Sequence, residues 1–229
     1  MVNVDELNAR GFAWADLRLL PSSWPGPGSG PSSPIRDVLH PETTEWLRAL
    51  ARSAELLAVA SLALGRPAFA VRGNLFVKGP DSNWSVPWHQ DRVVCVRRPA
   101  EVAGFSGWTR KAGLHHASAP LSVLRDMVAV RLYLDDSPAE GGPLEVVPGT
   151  HERLLAEEDL QRLSSRAMVL AARAGSILLL RPLLVHRSRS QTAAHPRRVL
   201  HVEYAAESLP GELEWYYAAA PGREREQLL

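Results

Sequence analysis

Two side chains able to bind a metal lie two residues apart near the middle of the chain. His89 and Asp91 flank Gln90 in a stretch, Val86 to Arg97, whose apolar residues predict a β-strand. Residues i and i+2 of a strand point to the same face, so the imidazole and the carboxylate can reach one ion while Gln90 points away. Alone, the His-x-Asp pattern is a weak signal, because ordinary strand ends also contain it.

A second segment supplies a possible third ligand and a cation. His186 follows the apolar residues Leu183 to Val185, Ser188 shares its strand face, and Arg197 comes eleven residues after His186. Two histidines and one carboxylate on one face of an octahedron form the facial triad of non-haem Fe(II) oxygenases. An arginine that points into a barrel needs an anion, and a dicarboxylate cosubstrate provides one. The alternative is a solvent-facing arginine at the start of a strand.

Further polar side chains share predicted strand faces with these residues or lie in the loop after the first motif. Arg131 and Tyr133 share one strand face, and Arg131 is a candidate for binding a carboxylate of the cosubstrate. His201 and Glu203 are an even number of residues from Arg197 in the same predicted strand, so we expect all three side chains on one face. Each candidate has a structural alternative, an ordinary ion pair or a solvated surface position. The candidates for contact with a substrate are Asn74, Lys78, Lys111, His115, Tyr133 and His201.

Composition narrows the class of protein and its partners. The 229 residues carry a net charge of +1 and are 45% apolar, which is typical of a globular chain and gives no reason to expect nucleic acid or anionic membrane as a partner. The single cysteine, Cys95, cannot form an internal disulfide. No signal peptide is visible, and the longest uncharged apolar stretch, Leu56 to Gly65, is too short to span a bilayer. We therefore expect a cytoplasmic protein without a nucleic-acid or membrane partner; the sequence does not indicate an oligomeric state.

The pattern of elements predicts one domain over residues 1–229. Residues 1–66 read as a mainly helical N-terminal support, with the stretch 37–64 uninterrupted by any proline or glycine after Pro41. Residues 67–206 contain short apolar runs separated by turn residues, which predicts a β-sandwich or barrel, and residues 207–229 form a C-terminal extension.

Taken together, these motifs resemble the phytanoyl-CoA dioxygenase family of Fe(II)- and 2-oxoglutarate-dependent oxygenases. The resemblance runs from about Val71 to Tyr204 and depends on the order and spacing of several segments. The segments are Trp88-His89-Gln90-Asp91, Leu132 to Asp136 with Glu140 to Leu144, Val147-Pro148-Gly149-Thr150-His151, and His186-Arg187-Ser188 with Arg197. Thr150 replaces the serine that is usual in the family's turn. The resemblance implies a mainly β double-stranded β-helix, a jelly-roll barrel, with the N-terminal helices packed outside.

The resemblance also implies the roles of individual residues. Iron would be bound by His89, Asp91 and His186; Arg197, assisted by Ser188, would bind the distal carboxylate of 2-oxoglutarate. Trp108 matches a family tryptophan near the cosubstrate. The implied reaction consumes O2 and hydroxylates an unactivated C–H bond with release of succinate and CO2. Because related halogenases have a small residue at the carboxylate position, Asp91 favours hydroxylation or a related oxidation such as desaturation.

Two classes of function remain open from the sequence. The first is an oxygenase acting on a modest-sized metabolite, an amino acid derivative or a secondary metabolite. The second is a cupin-like metal-dependent isomerase or a non-catalytic ligand-binding jelly-roll protein. Arg197 and Ser188 distinguish them, because an isomerase that needs only the metal has no use for a buried cosubstrate anchor.

Overall fold

The computed structural model describes residues 1–21, 24, 26, 30–80, 82–111, 113–192 and 195–217. Strands dominate from residue 67 onward, as the sequence predicts. The helices are α1 (Val4–Arg10), α2 (Glu45–Ala51), α3 (Ala54–Leu64), α4 (Leu121–Arg125) and α5 (Glu157–Leu163). The strands are β1 (Phe12–Arg18), β2 (Ile35–Arg36), β3 (Phe69–Lys78), β4 (Val86–His89), β5 (Val93–Val96), β6 (Ser106–Lys111), β7 (Leu114–Ser118), β8 (Met127–Tyr133), β9 (Leu144–Val147), β10 (Met168–Leu170), β11 (Ser176–Leu180), β12 (Val185–Ser188) and β13 (Arg197–Ala205).

Two antiparallel sheets position the functional residues. The larger sheet has the order β1-β11-β8-β13-β3-β2, and the smaller has the order β10-β9-β12-β4. Their inner faces pack against each other through apolar side chains such as Leu178 and Val199 from the larger sheet and Leu144 and Val146 from the smaller. A third sheet, β5-β7-β6, lies beside them. This two-sheet arrangement confirms the predicted mainly β fold.

The outer face of the larger sheet is covered by the N-terminal helices. Leu47 of α2 and Leu56 of α3 belong to the same buried cluster as Val130 and Leu132 of β8. All seven residues of β8 are buried, since alternate side chains pack outward against helices or inward between the sheets. The alternation sends Arg131 inward, on the face opposite to Val130 and Leu132.

Four details of the chain path differ from the sequence prediction. The strand predicted over Val86 to Arg97 is two strands in different sheets, β4 and β5, and Asp91 lies in the connection between them. Instead of one uninterrupted helix, α2 ends at Ala51 and α3 begins at Ala54, because the Ser53 hydroxyl accepts a hydrogen bond from the Leu56 N–H and caps a new helix. Within residues 1–66, β1 adds a strand to the edge of the larger sheet. The loop predicted around Lys111 and His115 is instead the β6–β7 hairpin.

The described part of the C-terminal extension packs onto the domain. Leu209, Leu213 and Trp215 are buried in one cluster with Val94 and Val96 of β5. Trp215 also forms a β-bridge with Val96. The rest of the predicted extension, residues 218–229, lies outside the described residues. Among the helices that the structure describes, none has the length and apolar character needed to cross a membrane.

Candidate metal centre and adjoining cleft

The three predicted metal ligands meet at one end of the smaller sheet. His89 on β4 and His186 on β12 are directly opposite each other in the antiparallel register, and their ring centroids are 4.1 Å apart. Asp91 follows β4 by two residues, and its backbone N–H donates a hydrogen bond to Pro182 O at 3.0 Å. That bond ties the segment carrying Asp91 to the turn before β12, so residues almost 100 positions apart share one site.

Distances among the donor atoms suit a single cation. His89 Nε2 is 3.6 Å from Asp91 Oδ1, and His186 Nε2 is 3.5 Å from Asp91 Oδ2. One ligand atom from each of the three residues lies within 4.8 Å of the other two. The Nδ1 atoms of both rings face backbone carbonyls, Pro87 O at 2.9 Å and Leu184 O at 2.8 Å. An Nδ1–H that donates to a carbonyl leaves Nε2 as a lone-pair donor for metal.

The protonation states also suit a metal. Burial lowers the pKa of His186 to about 4, with His89 lowering it further and Asp91 opposing the shift. Burial alone would raise the pKa of the Asp91 carboxyl, but His186 and His89 lower it overall. Near neutral pH, His186 is therefore neutral and Asp91 ionised, which are the forms that bind a cation. Nitrogen and oxygen donors of this kind, two imidazoles and one carboxylate, fit Fe(II).

Gln90 supports the metal-binding segment in a way that the sequence did not reveal. Its side-chain amide donates to Leu183 O at 2.6 Å and to Arg153 O at 2.9 Å, and its Oε1 accepts from Leu155 N–H at 2.8 Å. The Thr150 hydroxyl adds a second connection, since it donates to Val147 O and accepts from Val185 N–H. These bonds join β4, β9, β12 and the loop after β9, and so fix the separation of the histidines.

A cleft beside the metal ligands holds the predicted cosubstrate anchor. Arg197 opens β13, is 2% exposed, and has no hydrogen-bond partner for Nε or Nη1 among the described residues. Ser188 accepts a 2.6 Å hydrogen bond from Lys78 Nζ and donates to Gly142 O at 3.2 Å. Burial, together with Arg197 and Arg131, lowers the pKa of Lys78 to about 7. A buried guanidinium with two unsatisfied N–H groups fits a carboxylate, and hence 2-oxoglutarate.

The Gly141–Gly142 turn lies close to the backbone that follows β12. Gly142 has φ of +60°, and a Cβ there would lie 2.4 Å from Arg189 O. Only glycine adopts this positive φ without strain and, because it lacks a Cβ, leaves room for the carbonyl of Arg189. This close approach brings the carbonyl of residue 142 to the Ser188 hydroxyl and accounts for the Gly-Gly pair in the sequence motif.

The cleft has a polar floor and apolar walls, and it contains about 560 Å³ of empty space including its open mouth. Asn74, Lys78, Arg131 and His201 were predicted from strand parity to lie near the site. Asn74, Arg131 and His201 line the cleft, and Lys78 reaches it through Ser188. The walls also include Trp84, a tryptophan that the sequence suggested for an apolar pocket wall, and three side chains that carried no signal in the sequence, namely Phe76, Val86 and Leu144.

An ion pair occupies the end of the cleft nearest Asp91. Arg72 donates to Glu203 Oε1 at 3.3 Å, and His201 Nε2 is 3.9 Å from the same oxygen. Burial raises the pKa of Glu203 to about 7, against the opposing effect of Arg72. The inner faces of β3 and β13 thus carry a paired arginine at this end and an unpaired one, Arg197, at the other.

Four of the predicted residues do not line the cleft. Trp108 and Lys111 are on β6, whose six residues are all exposed, and His115 is half-buried on the neighbouring strand β7. Tyr133 points inward from β8, but it is fully buried against Trp14, and its hydroxyl lacks a hydrogen-bond partner among the described residues. Contact of these four side chains with a ligand remains a prediction.

Comparison with known proteins finds one curated relative and several solved structures that resemble this chain. A curated relative, the L-proline trans-4-hydroxylase of Streptomyces griseoviridis, is 26% identical over 184 residues, covering 68% of this chain and 61% of the relative. The match thus spans about three fifths of that relative's length. The crystal structure of AviO1 from Streptomyces viridochromogenes Tue57 superposes with a TM-score of 0.63 at 21% identity, covering 91% of this chain and 95% of that one. EctD from S. alaskensis with bound Fe gives a TM-score of 0.63 at 18% identity, covering 88% and 75%.

Fold and site together define a jelly-roll protein of the double-stranded β-helix type with two histidines and one carboxylate in position for a metal. The likeness to the solved structures confirms the predicted jelly-roll class. The family profile for phytanoyl-CoA dioxygenase (PhyH) matches residues 32–199. The chain belongs to this family, as its motifs predicted.

Proposed function

We propose that the chain is a non-haem Fe(II)- and 2-oxoglutarate-dependent dioxygenase that hydroxylates a C–H bond of a small metabolite. The observation that carries the proposal is the combination, within one cleft, of His89, Asp91 and His186 with the unpaired guanidinium of Arg197. Family membership and the similarity to a proline hydroxylase support it. The balanced reaction is R–H + 2-oxoglutarate + O2 → R–OH + succinate + CO2.

The side chains divide the work between the metal and the cosubstrate. Iron and 2-oxoglutarate, when bound, supply the oxidising chemistry, and His89, Asp91 and His186 hold the metal. Arg197 binds the distal carboxylate of 2-oxoglutarate through the N–H groups that lack partners, and Lys78 with Ser188 adds donors beside it. The apolar walls limit water around the reacting C–H bond.

An amino acid or a related metabolite is the substrate class that the comparisons favour. The curated relative is a hydroxylase of L-proline, which is a small zwitterion. A cleft with the Arg72–Glu203 pair, Arg131 and Asn74 on its polar side offers both donors and acceptors to such a molecule.

The predictions of a single domain, a cytoplasmic location and no nucleic-acid or membrane partner belong to the same proposal.

Anaerobic absorption spectroscopy tests the proposal without knowledge of the substrate. Addition of Fe(II) and 2-oxoglutarate to the purified protein should produce a visible charge-transfer band, and aeration should release succinate. His186→Ala and Arg197→Met should abolish the band, whereas His115→Ala, on a strand outside the cleft, should retain it. Absence of both band and succinate in the wild type would favour the cupin-like isomerase or ligand-binding alternative.

A further inference from the structure

The cleft contains more buried positive charge than a bound cosubstrate neutralises. Arg72 is paired with Glu203, and Arg187 at the rim is paired with Glu145 at 2.8 Å. Arg131 and Arg197 also line the cleft, and neither has a carboxylate within 4 Å among the described residues. Both are almost completely buried, at 4% and 2% exposure.

Arg131 is held in place by neutral groups only. Its Nη1 contacts His201 Nδ1 at 3.3 Å, its guanidinium lies 5.5 Å from the centre of the Phe76 ring, and its Nε has no hydrogen-bond partner within the described ranges. Burial lowers the pKa of His201 to about 3, with Arg131 contributing, so this imidazole is neutral and supplies no counter-charge. A guanidinium does not deprotonate in proteins, and a buried unpaired charge is costly. The position therefore calls for an anionic ligand.

The cosubstrate has too few carboxylates to satisfy both arginines. In the proposed function, one carboxylate of 2-oxoglutarate would go to the metal held by His89, Asp91 and His186, and the other would go to Arg197. Arg131 is opposite His201 in the register of β8 and β13, four residues from Arg197 along β13. At about 3.3 Å per residue, the backbone positions of the two arginines are about 13 Å apart along the sheet. Their side chains extend into one cleft, where burial and the charge of Arg131 lower the pKa of Arg197 to about 10. Arg131 and His201 line the same cleft as the metal ligands His89, Asp91 and His186.

We propose that Arg131 binds a carboxylate of the substrate, so that the enzyme acts on small carboxylic acids. This inference rests on the proposed function, and it moves Arg131 from the cosubstrate, where the sequence placed it, to the substrate. A single guanidinium matches one carboxylate in both charge and bidentate geometry. Phe76 and Leu144 line the same cleft and offer apolar contact to the carbon skeleton of such an acid.

Acetate serves as the probe, because it presents a carboxylate with almost no other chemistry. The protein is loaded anaerobically with Fe(II) and saturating 2-oxoglutarate, and relaxation of the acetate methyl protons is measured by NMR, with the Zn(II)-loaded protein as the diamagnetic reference. Acetate should relax faster in the Fe(II) sample, and neutral acetamide should not. Arg131→Met should weaken acetate binding about tenfold or more, as expected for the loss of a charge-assisted hydrogen bond, and change 2-oxoglutarate affinity far less. Arg173→Met, an exposed arginine away from the cleft, is the matched control.

If Arg131→Met does not fold, competition between acetate and 2-oxoglutarate in the wild-type protein still shows whether Arg131 binds the substrate or the cosubstrate. If acetate binds only when 2-oxoglutarate is absent, or if Arg131→Met mainly weakens 2-oxoglutarate, Arg131 belongs to the cosubstrate and the inference is wrong. Inorganic phosphate binding in place of acetate would also overturn it. Failure of the charge-transfer band would reject the proposed function separately, while acetate binding to the metal-loaded protein would still report on Arg131.

Discussion

Replacing Asp135 by alanine should destabilise the protein strongly and also weaken the cosubstrate anchor. Asp135 Oδ2 accepts hydrogen bonds from Arg198 Nε at 2.6 Å and from the Arg198 backbone N–H at 2.8 Å, and Oδ1 accepts from Nη2 at 2.9 Å. The two side chains are 5% and 2% exposed. Because successive residues of β13 point to opposite faces, holding Arg198 on one face directs Arg197 into the cleft.

The magnitude follows from the burial of the pair. Removing one partner of a buried ion pair costs about 3–5 kcal/mol, since the remaining charge loses its counter-ion. For a chain of this length, each kcal/mol lowers Tm by about 2–4 °C, so Asp135→Ala should lower Tm by about 6–20 °C. Asp136→Ala provides the matched control. Its carboxylate is exposed and accepts a hydrogen bond from Ala174 N–H at 2.7 Å, so its loss should cost about 1 kcal/mol.

Urea unfolding followed by tryptophan fluorescence measures both free energies, and an unchanged m-value keeps the comparison valid. Calorimetry with 2-oxoglutarate then tests the functional link. Asp135→Ala should bind the cosubstrate more weakly than Asp136→Ala does. Metal affinity should hardly change, because His89 and His186 lie on the other sheet and Asp91 lies in the connection after β4. The reasoning fails if Asp135→Ala is no more destabilising than Asp136→Ala.

Three further substitutions probe the metal centre and the charge beside the cosubstrate. Fe(II) at about one hundred times its Kd should stabilise the wild type by about 2.7 kcal/mol in a thermal-shift assay, and His89→Ala should lose this gain whereas His115→Ala keeps it. Gln90→Leu should weaken metal binding about tenfold to hundredfold in a chelator competition, because it removes the bonds that orient the histidine-bearing strand. Lys78, with its pKa lowered to about 7, should take up a proton when 2-oxoglutarate binds above pH 7, because a bound carboxylate favours the ammonium form. Affinity should therefore fall as pH rises through 7; calorimetry in two buffers would measure the proton uptake, and a flat profile equal to that of Lys78→Met would contradict the assignment.

The metal ligands could be predicted because alternation along a strand indicates, from the sequence alone, which side chains share a face. Alternation along one predicted strand suggested that His89 and Asp91 share a face. The two side chains do meet, although β4 ends at His89 and Asp91 lies in the connection to β5. The position of His186 at the end of an apolar run indicated a buried strand, which is β12. The same parity brought Arg131 and His201 to the cleft. For Arg131 and His201, an inward position followed from alternation along a single strand, without knowledge of the partner strand.

The supporting contacts could not be predicted, because they join distant segments through single hydrogen bonds. Gln90 and the carbonyl of Leu183 are 93 residues apart, and no periodicity links them. The β6–β7 hairpin escaped prediction for a different reason. All six residues of β6 are exposed, so the alternation of apolar and polar residues that marks a half-buried strand is absent. Trp108 was therefore assigned by resemblance alone, and it lies on that exposed strand.

Arg131 shows how a conflict between sequence and burial can indicate function. It interrupts the strand Met127–Tyr133, every residue of which is buried, at a position where the pattern calls for an apolar side chain. Arg198 is just as buried, but Asp135 neutralises it, so its role is structural. Arg131 has no such partner among the described residues, and folding gains nothing from burying it. A charge that the fold leaves unneutralised beside a metal site is explained by a ligand that arrives later, and that ligand must be an anion.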